Sequence, residues 1–140
     1  MCMLFVLLTA VAMLSYRGGS RINPTYPRYS FVHNFFSDLG LARSYSGEPN
    51  AGPGALFLVA LTGAGSGLAL FFVAFGGFFV HSVYARVAGV LGTLAGVFAG
   101  VCFIGVAWCP ADRFMDWHVR FVLWAFQAFP VAVLLYVLAS

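Results

Sequence analysis

Long apolar runs interrupted by two polar stretches organise this chain. Residues 1–16, 54–80, 87–108 and 121–138 are apolar almost throughout, while residues 17–53 and 109–120 carry nearly all of the charge. A bilayer core about 30 Å thick takes roughly 20 mainly apolar residues to cross as a helix. The last three runs reach that length, and the first falls a few residues short. The pattern predicts an all-α fold: a polytopic bundle of four membrane helices in one domain, a multi-pass protein of the cell membrane. Successive spans alternate in direction, so both polar segments are expected on the same membrane face.

The first polar segment changes character along its length. Gly18, Gly19, Pro24 and Pro27 oppose a helix near its start. Over residues 31–41 the order FVHNFFSDLGL places His33, Asn34, Ser37 and Asp38 at i, i+1, i+4 and i+5, with Phe31, Val32, Phe35, Phe36 and Leu39 on the other side. That period predicts a short amphipathic helix near residues 30–40, capped by Ser30 and ended by Gly40. Such a helix would lie on the membrane surface or dip into the bundle mouth. We expect it to pack against residues 110–118. In the third apolar run Ala88, Gly92, Gly96 and Gly100 recur every four residues, a small-residue stripe suited to helix–helix association. Pro130 should kink or open the fourth helix.

Composition narrows the class. Hydrophobic residues make up 62% of the 140 and charged residues 8%, whereas a soluble domain carries about a quarter charged residues. Sixteen Phe and six Tyr are too much apolar surface for a disordered chain. All seven basic residues are Arg; the net charge of +3 is small and scattered, which argues against nucleic acid as a partner. Membrane lipids are the expected partners. Cys2, Cys102 and Cys109 are odd in number and form no CxxC pair, so neither a disulfide framework nor a zinc motif is supported. Ala10, Val11 and Ala12 imitate a signal-peptidase site, but no charged n-region precedes them. An uncleaved first helix whose beginning is cut off is the preferred reading.

All four acids, six of the seven Arg, and His33 and His118 fall in the two polar segments. His33, Ser37, Asp38, Asp112 and His118 are the residue types of a hydrolase. His33 and Ser37 stand one helical turn apart, where a base could polarise a hydroxyl. His33, Asp38, Asp112 and His118 are also the types that hold a divalent metal with an open position. No compact signature such as HExxH or GxSxG is present, and no cofactor is clearly indicated. Plainer roles exist for each: His33 facing headgroups, Ser37 and Asp38 bonding a turn, and Asp116 pairing with Arg120.

The run FFSDLG at residues 35–40, a small-residue loop with Asn50, and a Gly/Phe-rich second helix resemble the prokaryotic membrane proteins of domain-of-unknown-function family 998. VAWCPADRFMDWHVRFVLWAF at residues 106–126 resembles that family's second marker. More distantly, both are similar to the eukaryotic Frag/Sfk-type proteins, some of which act in lipid-anchor remodelling. The resemblance carries over Ser37, Asp38, Leu39, Gly40, Pro110, Asp112 and His118. Members of the family usually have six helices, against four apolar runs here. Orientation stays open, because the Arg excess places the polar face in the cytoplasm while the eukaryotic likeness turns it away. The functional expectation is a non-enzymatic structural or lipid-associated subunit. The alternative is an interfacial lipid hydrolase or acyl-transfer enzyme.

Overall fold

A computed structural model describes residues 2–140. Among them are four α-helices, α1 (Cys2–Ser15), α2 (Ala51–Gly76), α3 (Val83–Trp108) and α4 (Met115–Ala139), together with a short 3₁₀ turn, Phe36–Gly40. The described residues contain no β-strand, only an isolated bridge between Arg43 and Pro49. The fold is the all-α bundle that the apolar runs predict. Helices α2, α3 and α4, of 26, 26 and 25 residues, are long and apolar enough to cross a membrane. Helix α1 has 14 residues, about 21 Å at 1.5 Å per residue, and falls short of the hydrocarbon thickness. The described helices long enough to cross therefore number three, with α1 as a shorter apolar companion, rather than four.

The three long helices start earlier than the apolar runs do, and α2 ends at Gly76 rather than at residue 80. Helix α2 takes in Gly52 and Pro53, because a proline in the first turn lacks only an N–H that would be unpaired anyway. Helix α3 starts early on the Ser82 side chain, which accepts the Ala85 N–H at 3.0 Å. Helix α4 starts at Met115 rather than at residue 121, with Asp116 in its first turn complementing the helix dipole. It runs on through Pro130, which is exposed on its surface. Arg120 lies over the Trp117 ring, 5.3 Å from its centroid, rather than bridging to Asp116.

Helix α3 is the centre of the bundle, packed on α2 and on α4, and α1 packs on α2. Without a hydrophobic drive in lipid, close packing must hold these helices together, and the small residues of α3 permit it. A Cβ at Gly100 would lie 2.6 Å from the Gly65 carbonyl oxygen, and one at Gly65 the same distance from that of Gly100. The Phe72 ring fills the notch at Gly96 and the Tyr136 ring that at Gly92. The glycine stripe is thus filled from within the chain. Phe72 and Tyr136 stack with an interplanar angle of 3°.

Their meeting also satisfies three polar groups. The Tyr136 hydroxyl donates to the Phe72 carbonyl at 3.1 Å and lies 2.7 Å from Thr93 Oγ1. The Thr93 hydroxyl is 2.9 Å from the Gly89 carbonyl. Every long helix takes part, so the network pins α2, α3 and α4 to one another. Tyr136→Phe should therefore weaken the bundle, by about 0.6 kcal/mol and no more than roughly 1.7, because Thr93 keeps its bond to Gly89. Reversible unfolding in mixed micelles measures this; a loss above roughly 2 kcal/mol would mean that the ring packing had also failed.

Candidate functional site

The polar end of the bundle is built around Asn34 and Asp38. The predicted helix over residues 30–40 does not form there. Ser30 opens a single turn, with its carbonyl accepting the N–H groups of His33 and Asn34 at 3.2 and 2.9 Å. Phe35 is then extended (φ −72°, ψ 151°), and its N–H goes to Asp38 Oδ2 at 2.9 Å. The Ser30 N–H is taken by Asn34 Oδ1 at 3.1 Å. Short polar side chains have outcompeted the helical ladder for the backbone, and only the 3₁₀ turn follows.

Asp38 is 3% exposed. Its Oδ2 also accepts from Asn34 Nδ2 at 3.1 Å, and the same amide group donates to the Gly19 carbonyl at 3.0 Å. Burial pushes the Asp38 carboxyl above its ordinary range. The Asn34 and Phe35 hydrogen bonds pull it back, and so do the charges of Arg21 and His118. Three tyrosines surround it. Burial, then the Asp38 charge, raises the phenols of Tyr29 and Tyr45. Tyr16 stands edge-on to Tyr29 with ring centroids 5.9 Å apart, and its hydroxyl is buried without a hydrogen-bond partner.

The 3₁₀ turn rests on α1 and α2, where Gly40 leaves room for the Phe57 ring. The chain just after it meets residues 110–118 through hydrogen bonds. Both Ala42 and Arg43 donate their N–H to Asp112 Oδ2, at 3.0 and 3.1 Å. One carboxylate thereby ties the two polar segments together. A crevice of about 530 Å³ lies beside this tie, bordered by Arg43, Tyr45, Asp112 and Met115. Asp38 and His118 are not among its lining residues.

His118 is buried on the first turns of α4. Its Nδ1 lies 2.7 Å from the Cys109 carbonyl. A carbonyl can only accept, so Nδ1 carries a proton, and in the neutral ring Nε2 is the nitrogen with the free lone pair. His33 is held elsewhere: its Nδ1 is 3.0 Å from Ser30 Oγ and its ring lies against Tyr26 at 5.1 Å. The base–hydroxyl pair expected of His33 and Ser37 is not made: His33 Nδ1 meets Ser30 instead, and Ser37 is half-buried in the 3₁₀ turn. Of the five candidates, Asp38 and His118 come within electrostatic reach of each other, and Asp112 binds backbone. Among the described residues, no group of three or more His, Cys, Asp or Glu is placed to hold a metal ion, so His33, Asp38, Asp112 and His118 do not form the anticipated ligand set.

Asn34 organises this end without standing among the five candidates, and its place four residues before Asp38 on the polar side is the signal for it in the sequence. Asn50 is likewise buried, with Nδ2 donating to the Leu39 and Leu41 carbonyls, both at 2.9 Å. Asn50 precedes α2 as its N-cap residue, yet its Oδ1 has no partner. The N–H three residues on, which a capping side chain commonly takes, is absent because Pro53 stands there. No protein-family model, no curated protein and no solved structure matches this chain.

Proposed function

We propose that this is a non-enzymatic multi-pass protein of the cell membrane, a structural or lipid-associated subunit. One observation carries the reading: Asp38, Asp112 and His118, the ionisable candidates at the bundle end, are engaged with the backbone of their own loops. Asp38 holds Asn34 and Phe35, Asp112 holds Ala42 and Arg43, His118 holds the Cys109 carbonyl, and His33 holds Ser30. A catalytic centre needs an oriented base turned toward a nucleophile or a bound substrate. His33 does meet the Ser30 hydroxyl at 3.0 Å, but no carboxylate among the described residues hydrogen-bonds that ring, and Asp38, Asp112 and His118 are turned toward their own loops. An apolar groove of about 390 Å³ between α1 and α2, bordered by Phe5, Val6, Gly67 and Phe71, is of a size and lining to take an acyl chain.

Native mass spectrometry of the whole chain in mild detergent tests this. Retained phospholipid or a retained protein partner is the expected result, and a lipid-free monomer throughout would overturn the reading. One specific feature favours the alternative of an interfacial hydrolase or acyl transferase: His118 is anchored through Nδ1 and in the neutral ring leaves the Nε2 lone pair free, with the Asp38 charge nearby. On our reading, phospholipid vesicles incubated with the protein release no more lysolipid or fatty acid than with His118→Ala. Release that depends on His118 would establish the enzyme instead.

A further inference from the structure

Residues 17–37 contain three arginines and no acid. Arg17, Arg21 and Arg28 are all exposed. The same stretch presents Phe31, Val32 and Phe35 at 80%, 85% and 63% exposure. Large apolar side chains this open beside cations would be a liability in water, whereas a lipid interface welcomes both.

Two further observations set the level of this surface. Phe36 packs its ring 5.9 Å from Phe5 of α1 and 5.5 Å from Phe57 of α2. Phe57 lies six residues beyond the start of α2, about 9 Å down the helix. The turn therefore hangs beside the bundle, level with the apolar part of α2, and not above it. Its backbone is also prepared for such a place. The N–H groups of Ser30, His33, Asn34, Phe35 and Asp38 are bonded within the turn, while those of Phe31 and Val32 are left for headgroup oxygens or water, which suits the interface rather than the hydrocarbon core.

We propose that residues 17–36 form an anionic-phospholipid binding surface. Phe31, Val32 and Phe35 enter the acyl boundary of the leaflet, while Arg17, Arg21 and Arg28 engage the phosphates of headgroups that carry a net negative charge. Asn34 and Asp38 give the wedge its fixed shape by holding it to Gly19. The proposal rests on the lipid-associated reading above and names the lipid class.

The test is native mass spectrometry of the full chain from nanodiscs containing phosphatidylcholine and phosphatidylglycerol. Wild type is expected to retain phosphatidylglycerol preferentially, by roughly fivefold per arginine and on the order of a hundredfold for three. Arg17→Gln/Arg21→Gln/Arg28→Gln should bring that preference near parity. The charge-matched control Arg43→Gln/Arg113→Gln/Arg120→Gln should keep most of it; an equal loss in both means diffuse charge and overturns the proposal. Phe31→Ser/Val32→Ser/Phe35→Ser, which alters exposed positions only, should reduce retention without shifting the melting temperature. Unchanged retention there, or displacement of the lipid by excess inorganic phosphate, also overturns it. Lipid retained without anionic preference sinks this proposal alone, whereas absence of all lipid and all partners sinks the broader reading with it.

Discussion

Gly100→Leu is expected to be the most damaging single substitution in the membrane-embedded part of this protein. A Cβ at this position meets the Gly65 carbonyl oxygen at 2.6 Å and both the backbone nitrogen and the Cβ of Ala69 at 3.1 Å. Two of these three atoms are backbone, so no rotamer change can make room, and α2 and α3 would have to separate. Overpacking of this kind costs about 1–3 kcal/mol, occasionally more. Separation would also loosen the seat of Phe72 against Gly96 and the Phe72 carbonyl bonded to Tyr136. We expect a loss of at least about 3 kcal/mol in micelle unfolding, together with a lower yield of folded protein. Gly52→Ala supplies the contrast, because a Cβ there meets nothing within 4 Å; it should be neutral or gain up to about 1 kcal/mol from reduced chain entropy. If Gly100→Leu unfolds like wild type, the helices do not cross at Gly65 and Gly100.

The glycine stripe behind that crossing was legible in the sequence, though not its partner Gly65, and the polar end was not, for one physical reason. The stripe at Gly92, Gly96 and Gly100 repeats with the helix period and must face a neighbour whatever the rest of the chain does. The hydropathy of the three long helices is likewise a local property, which is why their existence was plain and only their ends shifted. The ends shifted where residues such as Asp116 and His118 are polar and yet helical. At the polar end, by contrast, the decisive bonds join distant residues. Asn34 reaches Gly19 fifteen positions away, and Asp112 reaches Ala42 seventy positions away. Periodicity suggested a helix over residues 30–40 because His33, Asn34, Ser37 and Asp38 have the right spacing. The same four residues could instead bond the backbone, and the partners that tipped the balance are far away in sequence. Nothing local marks Tyr16, Tyr29 and Tyr45 as neighbours of one carboxylate.

Asp38 itself gives the second large effect, and its sign with pH separates burial from pairing. Asp38→Ala removes the acceptor for the Phe35 N–H and one of the two acceptors of the Asn34 amide group. Leaving buried donors unpaired costs about 1–3 kcal/mol each, and we expect a loss of about 2 kcal/mol near neutral pH, with the wedge at residues 31–36 becoming more open to proteolysis. Asp38→Asn should be far milder, since its amide oxygen can accept from both donors and its NH₂ group can turn toward the Tyr45 phenol. The two proteins then differ in their titration. Burial raises the folded-state carboxyl above its ordinary value of 3.8, so between those two values the folded state holds more proton than the unfolded one. Stability therefore falls as pH rises through that window and levels off above it. Near pH 4 wild type should thus recover stability relative to Asp38→Asn, and above the folded-state value it should run parallel to it. Unfolding of both proteins from about pH 4 to 8 reads the difference directly. A wild type that instead gains on Asp38→Asn as pH rises would mean that Arg21 or His118 pairs with the carboxylate strongly enough to overcome its burial.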